Sequence, residues 1–202
     1  MTLIIIIITS LFSIIGFQGS DMMYRFQFNA YSVKHNKEWI RFFSHALLHA
    51  DWVHLLMNML VLYFFGDLVE MYFEYYFGTK GMLYFGLLYV GGIIFAVLPS
   101  YKKHQDDVWY NSVGASGAVS AVLFSSVILD PLNSICLYGI LCLPGVVWAI
   151  IYLAYSFYMS KKATDNINHD AHLWGAIFGI VFTIVIKPAL GLLFIERIIN
   201  IF

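Results

Sequence analysis

Charged residues are scarce in this chain: only 11% of its 202 residues are Asp, Glu, Lys or Arg, whereas 61% are hydrophobic. A mean hydropathy of +0.79 lies far outside the range of soluble proteins. The composition therefore predicts an integral membrane protein in contact with a lipid bilayer. The formal net charge is −1, so the sequence indicates no basic surface for nucleic acid.

Cysteine is nearly absent, and no cleavable leader is indicated. Cys136 and Cys142 form neither a disulfide framework nor a Cys-x-x-Cys pair, so we expect them to be packing residues. The first apolar run, from Leu3 to Phe17, has no Lys or Arg before it and no A-x-A site after it. It is therefore predicted to be a retained span rather than a signal peptide.

The apolar runs predict six membrane spans, because a span needs about 20 residues and tolerates about 17 to 25. Pro144 and Gly145 favour a start of the fifth span there, and Lys187 with Pro188 predicts an end of the sixth near Ile186. The residues from 18 to 44 are expected to form an ordered interfacial loop. We predict an all-α bundle that is one domain over residues 1–202, with spans at 3–17, 52–69, 82–98, 115–129, 144–159 and 171–186.

Four polar residues within these spans are candidates for function, because polar groups are costly in a membrane. His54 and Asn58 share one helix face, Ser116 opens the fourth span, and His172 opens the sixth. The second, fourth and sixth spans run in the same direction, so all four side chains are expected at a similar depth. A neutral imidazole can accept the proton of a serine hydroxyl, and fixed donors can stabilise the resulting oxyanion. This predicts Ser116 as nucleophile, His172 as base, and His54, Asn58 and nearby backbone N–H groups as donors.

Small residues surround both members of this pair. Gly175 and Gly179 follow His172 at the i+3 and i+7 positions, and Gly114 and Gly117 flank Ser116. Such residues let two membrane helices approach closely. We expect them to pack the fourth and sixth spans together beside the site.

Each candidate also has a purely structural explanation, because a serine can bond to the i−4 carbonyl and a histidine or asparagine can bridge helices. Asp170 is predicted to be the N-cap of the sixth helix and not a triad acid, since residues two apart point away from each other. His45 with His49, and His169 with His172, have spacings that could bind a metal. No H-E-x-x-H motif is present, so we predict a Ser/His dyad with no metal and no other cofactor.

Three motifs resemble those of the rhomboid intramembrane serine proteases. They are HLLMN (54–58), GASG (114–117) and AHLWG (171–175), in the family's order, preceded by RFFSHALLH (41–49). The likeness covers nearly the whole chain. It implies a six-helix core that hydrolyses peptide bonds of membrane-spanning substrates.

The resemblance also implies roles for individual residues. Ser116 would be the nucleophile and His172 the general base. His54, Asn58 and the backbone at Ala115 and Ser116 would form the oxyanion hole. The substrates would be single-span proteins with small or helix-weakening residues near the extracytoplasmic end of the span, because a helical peptide bond must unwind before attack.

The sequence departs from the family pattern at two places. Some members carry an aromatic residue four positions after the nucleophile, stacked under the base, whereas this chain has Ser120. Another group must then orient His172. Family loops often have adjacent Trp and Arg, but Ile40 separates Trp39 from Arg41 here, which affects the expected anchoring of the loop.

The cations and the resemblance predict opposite orientations in the membrane. A cytoplasmic N-terminus, which the resemblance implies, puts most cations outside: Arg25, Lys34, Lys37, Arg41, Lys102, Lys103, Lys161 and Lys162. The positive-inside rule predicts the reverse. We follow the resemblance and expect a multi-pass protein of a bacterial inner membrane, with the site on the extracytoplasmic side.

A different class of function uses the same polar pocket. The alternative is a non-catalytic rhomboid-like binding protein or a small-solute transporter. The presence of both Ser116 and His172 favours the enzyme.

Overall fold

The computed structural model describes residues 1–137, 140–162 and 168–200. Two short 3₁₀ turns, His45–Leu47 and Gly78–Lys80, flank the longest helix. The helices are α1 (Thr2–Gln18), α2 (Ser20–Phe26), α3 (Ala30–Asn36), α4 (Arg41–Ser44), α5 (Trp52–Phe77), α6 (Gly81–His104), α7 (Ser116–Leu129), α8 (Gly145–Lys162), α9 (His169–Ile186) and α10 (Pro188–Ile199).

Helix α7 lies at the centre of the molecule and contacts α5, α6, α8 and α9. Nearly all of its side chains are buried, and most are Ala, Val, Ser or Gly. Small side chains on every face let several helices approach one central helix at once. Ser116, which opens this central helix, is half-buried at its end.

Large apolar side chains cover much of the outer surface, as expected of a protein that contacts lipid. Helix α1 exposes Leu3, Ile4 and Leu11, and α5 exposes Leu56 and Phe64. By length and composition, the continuous helical stretch Trp52–His104 and the helix His169–Ile186 can each cross a membrane. Helices α1 and α7 are apolar but shorter.

Helices α5 and α6 extend furthest beyond the predicted spans. Helix α5 continues to Phe77 instead of residue 69, because Phe73 is fully buried and the Glu70 carboxylate accepts a hydrogen bond from the Thr2 hydroxyl of α1. Helix α6 continues through Pro99 to His104. Its last turns pack Val97 and Tyr101 against Phe42 and its neighbours, so tertiary packing outweighs the helix-breaking tendency of proline.

The segment between α1 and α5, predicted as a loop, contains the helices α2, α3 and α4. Arg41 holds this segment together, and its side chain is buried, with 5% of the residue exposed. Its guanidinium donates to the backbone oxygens of Tyr24 and Gln27, at 2.9 and 2.7 Å, and pairs with Glu38. Although Trp39 and Arg41 are not adjacent in this chain, Arg41 still anchors the loop.

The prediction of an all-α chain with two packing cysteines is wrong in one region. Strands β1 (Ser134–Leu137) and β2 (Leu141–Pro144) form an antiparallel pair between α7 and α8. Cys136 lies opposite Cys142, and the two form a disulfide. The apolar run before Pro144 is too short for its pattern to distinguish a β-strand from a segment of helix.

The proline-based boundaries agree with the structure. Helix α8 begins at Gly145, directly after Pro144. Helix α9 ends at Ile186, and Pro188 occupies the first turn of α10, where its missing N–H costs no hydrogen bond.

Candidate active site

Ser116 is the first residue of α7, and the turn before it has an unusual backbone. Gly114 has φ +120°, a conformation that side-chain-bearing residues rarely adopt. Its N–H donates to the backbone oxygen of His45 at 3.0 Å. Ala115 occupies the N-cap position without a side-chain cap. The first-turn N–H groups of a helix lack intrahelical partners, so this end of α7 presents donors suited to an anion.

The imidazole of His54 lies against this turn. A Cβ atom at Gly114 would stand 2.7 Å from Cε1 and 2.8 Å from Nε2 of His54, so only glycine fits there. Asp51 caps α5 by accepting the His54 N–H at 2.8 Å, which fixes the start of the helix. His54 therefore reaches the peptide that leads into Ser116.

Asn58 lies one turn further along α5 and is buried, at 7% exposure. Its side-chain nitrogen donates to the backbone oxygen of His54 at 2.8 Å. An amide nitrogen carries two hydrogens, so a second donor remains besides this bond within the helix.

His172 lies in the first turn of α9, and glycine contacts bring this turn close to Ser116. A Cβ atom at Gly175 would collide with the backbone of Gly117, and one at Gly179 would collide with the backbone of Ala121. Helices α7 and α9 therefore touch along their backbones. Gly117 follows Ser116, and Gly175 stands one turn after His172, so the contact joins the starts of the two helices.

His49, predicted only as a possible metal ligand, connects the same turn to α1. The Ala115 N–H makes a long hydrogen bond to His49 Nε2, at 3.4 Å. His49 Nδ1 lies 2.9 Å from the hydroxyl of Ser13, which donates to the backbone oxygen of Leu47 at 2.8 Å. Since Nε2 accepts, a neutral His49 carries its proton on Nδ1 and donates it to Ser13. The Ala115 amide, predicted as an oxyanion donor, is therefore directed at His49.

His45 and His49, the two buried histidines before α5, are held neutral by burial. Desolvation lowers the pKa of His49 from its usual 6.5 to about 3, and the nearby His54 adds to this effect. Desolvation likewise lowers the pKa of His45 to about 4, despite the contact of its Nδ1 with the Arg41 backbone oxygen at 2.9 Å. Neutral rings can accept hydrogen bonds from the backbone at ordinary pH.

Asn168, and not Asp170, caps α9. Its side chain accepts the Ala171 N–H at 3.1 Å, because the helix begins at His169, two residues earlier than predicted. Its amide nitrogen lies 3.0 Å from the Tyr110 hydroxyl and 3.3 Å from that of Ser112. Asp170 instead stands 3.9 Å from Lys103. The cap thus ties the start of α9 to the segment that leads to Ser116.

A small cavity of about 10 Å³ adjoins Ser116. Its lining includes His45, Ser112 and Asn168. This volume is close to what one water molecule needs, and the polar groups could hold it.

Comparison with known proteins identifies the family. The model of the Rhomboid domain matches residues 36–189, well over half of the chain. This chain belongs to the rhomboid family. Members of this family are intramembrane proteases, and rhomboid proteases act on transmembrane substrates in a bilayer.

Individual rhomboid relatives are distant. Rhomboid protease GlpG of Haemophilus influenzae is 27% identical over 83% of this chain and 79% of its own length. RHOMBOID-like protein 12, mitochondrial, of Arabidopsis thaliana is 27% identical over 65% of this chain and 41% of its own length. Rhomboid-like protein 11, chloroplastic, of the same plant is 31% identical over 71% of this chain and 51% of its own length. The chain thus spans about half the length of the plant rhomboids or less.

Two further features of this rhomboid bear on the site. Within residues 1–137, 140–162 and 168–200, no group of three His, Cys, Asp or Glu side chains could hold a metal ion. The ring of Tyr152, from α8, stacks on His172 with centroids 6.0 Å apart and planes 23° apart. No spacing in the sequence relates α8 to the other site helices, so Tyr152 is not among the predicted site residues.

Proposed function

We propose that this rhomboid is a serine endopeptidase that cleaves single-span membrane proteins near the extracytoplasmic end of their transmembrane segment. The backbone contact of Gly117 with Gly175 carries this proposal, because it joins the first turns that bear Ser116 and His172. A nucleophile and its base must lie within hydrogen-bond reach of each other in the reacting complex.

In the proposed reaction the Ser116 hydroxyl attacks the scissile carbonyl carbon while His172 accepts its proton. The tetrahedral intermediate collapses, and His172 returns the proton to the departing amine. A water molecule then attacks the acyl-enzyme ester, again with His172 as base. The bond to the Ser116 oxygen breaks, His172 returns the proton to that oxygen, and the carboxylic acid leaves. The cavity beside Ser116 is suited to supply that water.

The oxyanion would be stabilised by donors that converge on the start of α7. His54 and the Ser116 N–H are the main candidates, with Asn58 as a further donor one turn below. Ala115 would contribute only if its N–H were shared between the oxyanion and His49. Fixed donors of this kind stabilise the charge that develops in the transition state.

The proposed membrane arrangement is a single domain of residues 1–202 with six spans, formed by α1, α5, α6, α7, α8 and α9. The N-termini of α5, α7 and α9 would then lie on one side, with the site on the extracytoplasmic face of a bacterial inner membrane. Helix α7 is short, with 14 residues, so Ser116 would lie below the membrane surface. A substrate helix would have to unwind locally to present a peptide bond there.

Covalent labelling tests the proposal. A fluorophosphonate should modify purified wild-type protein at Ser116, and mass spectrometry of the labelled peptide should identify the residue. Ser116→Ala should lose both labelling and cleavage of a model single-span substrate, while His172→Ala should lose cleavage and label far more slowly. Retained cleavage by Ser116→Ala would refute the dyad. A folded wild-type protein that neither labels nor cleaves would favour the binding or transport function.

A further inference from the structure

The base of the proposed dyad has an aromatic neighbour that comes from outside the helices of the dyad. Tyr152 of α8 stacks on His172 of α9 with a centroid distance of 6.0 Å and an interplanar angle of 23°. Aromatic rings at such separations attract each other when they are offset and nearly parallel. The ring of Tyr152 therefore restricts the orientations that the imidazole can adopt.

Tyr152 is itself held by α7. Its hydroxyl lies 2.6 Å from the hydroxyl of Ser120, and its ring lies 5.6 Å from that of Phe124. Ser120 is 2% exposed, and it stands four residues after Ser116 on the same face of α7. Because serine is small, this face leaves room for a ring from α8 between the two helices.

These contacts connect both members of the dyad through one tyrosine. Ser116 and Ser120 share a helix, Ser120 bonds to Tyr152, and Tyr152 stacks on His172. We propose that Tyr152 is a positioning residue for the base, anchored by Ser120. This proposal rests on the proposed function, because a base needs a fixed orientation only if it accepts a proton from Ser116.

The proposal answers how His172 is oriented in a chain with Ser120 four residues after the nucleophile. The aromatic surface for the base comes from a neighbouring helix, and the serine acts as its hydrogen-bond partner. The two positions should therefore behave as a pair.

Four variants test this inference: Tyr152→Leu, Tyr152→Phe, Ser120→Ala and the double variant Ser120→Ala/Tyr152→Phe. Tyr152→Leu removes the ring, so kcat should fall about 10- to 100-fold with little change in KM, since misplacing a catalytic group by 1 Å can cost 10²-fold. Tyr152→Phe keeps the ring and should retain most of the rate, with a loss of about 2- to 10-fold, the range of one hydrogen bond. Ser120→Ala should match Tyr152→Phe, and the double variant should lose no more than either, because all three remove the same bond.

Tyr158→Leu is the matched control, because Tyr158 is on the same helix but 54% exposed. The rate of fluorophosphonate labelling at Ser116 should fall in parallel with kcat for Tyr152→Leu and stay unchanged for Tyr158→Leu. A purely structural tyrosine would lower the unfolding midpoint while kcat and labelling rate stay at wild-type values, and that result would overturn the inference. If Tyr152→Leu does not fold, the inference is tested by Ser120→Ala, Tyr152→Phe and the double variant. Losses of kcat that add up in the double variant would overturn the inference as well. Absence of labelling in the wild type would instead refute the proposed function.

Discussion

Three histidines within ten residues, His45, His49 and His54, have different surroundings. His45 contacts the Arg41 backbone oxygen, and its own backbone oxygen accepts the Gly114 N–H. His49 bridges Ser13 and Ala115, whereas His54 lies against Gly114. His45 and His49 therefore support the turn before Ser116, and His54 lies beside that turn, where we propose an oxyanion donor.

Acid should destabilise the protein through its buried histidines. The pKa of His49 is about 3 in the folded protein and 6.5 when exposed, so the unfolded chain binds more protons between these values. Folding stability is thus complete above pH 6.5 and falls as the pH drops toward 3, by up to about 1.4 kcal/mol per pH unit for each such histidine. His49→Gln should flatten this dependence, as measured by unfolding midpoints in detergent from pH 7.5 to 4.5.

His35→Gln is the control for this measurement, because His35 is exposed on α3. It should leave the pH dependence of the midpoint as in the wild type. An equally steep loss of stability in His49→Gln would mean that His49 is not the group that titrates.

Asn58 and His54 should affect the rate far more than the stability. Removal of one oxyanion donor typically lowers kcat about 10²- to 10³-fold, equivalent to roughly 2.7 to 4 kcal/mol. Asn58→Ala and His54→Ala should therefore lower kcat with little change in KM. If Asn58 only joined helices, its loss would cost about 0.6 kcal/mol of stability, the average for such bonds in membranes. Kinetics and unfolding of both variants decide this, and an unchanged kcat would remove the residue from the site.

The sequence is sufficient to identify site residues whose polar type is unusual for the apolar segment in which they lie. Ser116 and His172 are polar groups flanked by glycines in apolar runs, and the structure brings their two turns together through Gly117 and Gly175. The contact of Tyr152 with His172 depends on how α8 packs, and no local pattern encodes it. The predicted start of α9 lies two residues too late, so the prediction does not include Asn168, although asparagine is a preferred N-cap.

At the scale of helices, the contact of α7 with α9 aligns the two proposed catalytic turns. Gly175→Ala would place a methyl group into the backbone of Gly117, which cannot move without displacing Ser116. We expect loss of activity and a lower unfolding midpoint, because overpacking a close contact typically costs about 1–3 kcal/mol. Activity and midpoint should be measured in the same detergent preparation.

Gly191→Ala is the control for the helix contact. Gly191 is also within a helix, but a Cβ there would meet Ile184 at 3.4 Å, an ordinary contact. The change should leave activity intact and leave stability equal or higher, because alanine favours a helix over glycine by about 1 kcal/mol. Full activity in Gly175→Ala would show that the two helices do not need to touch.

Helix ends that depend on proline were predictable, whereas those that depend on packing were not. Pro144 and Pro188 act through their own rings and missing N–H groups, so they mark the start of α8 and the end of α9 in the sequence. Pro99 does not end α6, because Phe42 and other side chains distant in the sequence pack against the following turn. The hairpin of β1 and β2 was missed because its strands have only four residues each.

At the scale of the whole molecule, the two ends differ in chemistry. The end that carries Ser116 also carries α3, the C-terminus of α6 and most of the cations. The opposite end carries Thr79 and the hairpin with Cys136 and Cys142. Cytoplasmic thiols are normally kept reduced. The proposed orientation places this hairpin in the cytoplasm. It therefore predicts the redox state of Cys136 and Cys142 as well as the side on which each loop lies.

We expect the Ser116 end to be extracytoplasmic and the cysteine pair to be reduced in cells. In a Cys136→Ser/Cys142→Ser background, Asn36→Cys and Lys103→Cys should react with a membrane-impermeant maleimide in intact cells. Thr79→Cys, from the opposite end, should react only after permeabilisation. In cells, a permeant maleimide should alkylate wild-type Cys136 and Cys142 without prior reduction, so that the disulfide of the structure forms only once the protein is oxidised outside the cytoplasm. Labelling of position 79 in intact cells, with the native pair blocked until a reductant is added, would reverse the orientation. The positive-inside rule and the redox state of the cysteine pair would then both agree with the reversed orientation. The reaction proposed for Ser116 would be unchanged but would take place on the cytoplasmic side of the membrane.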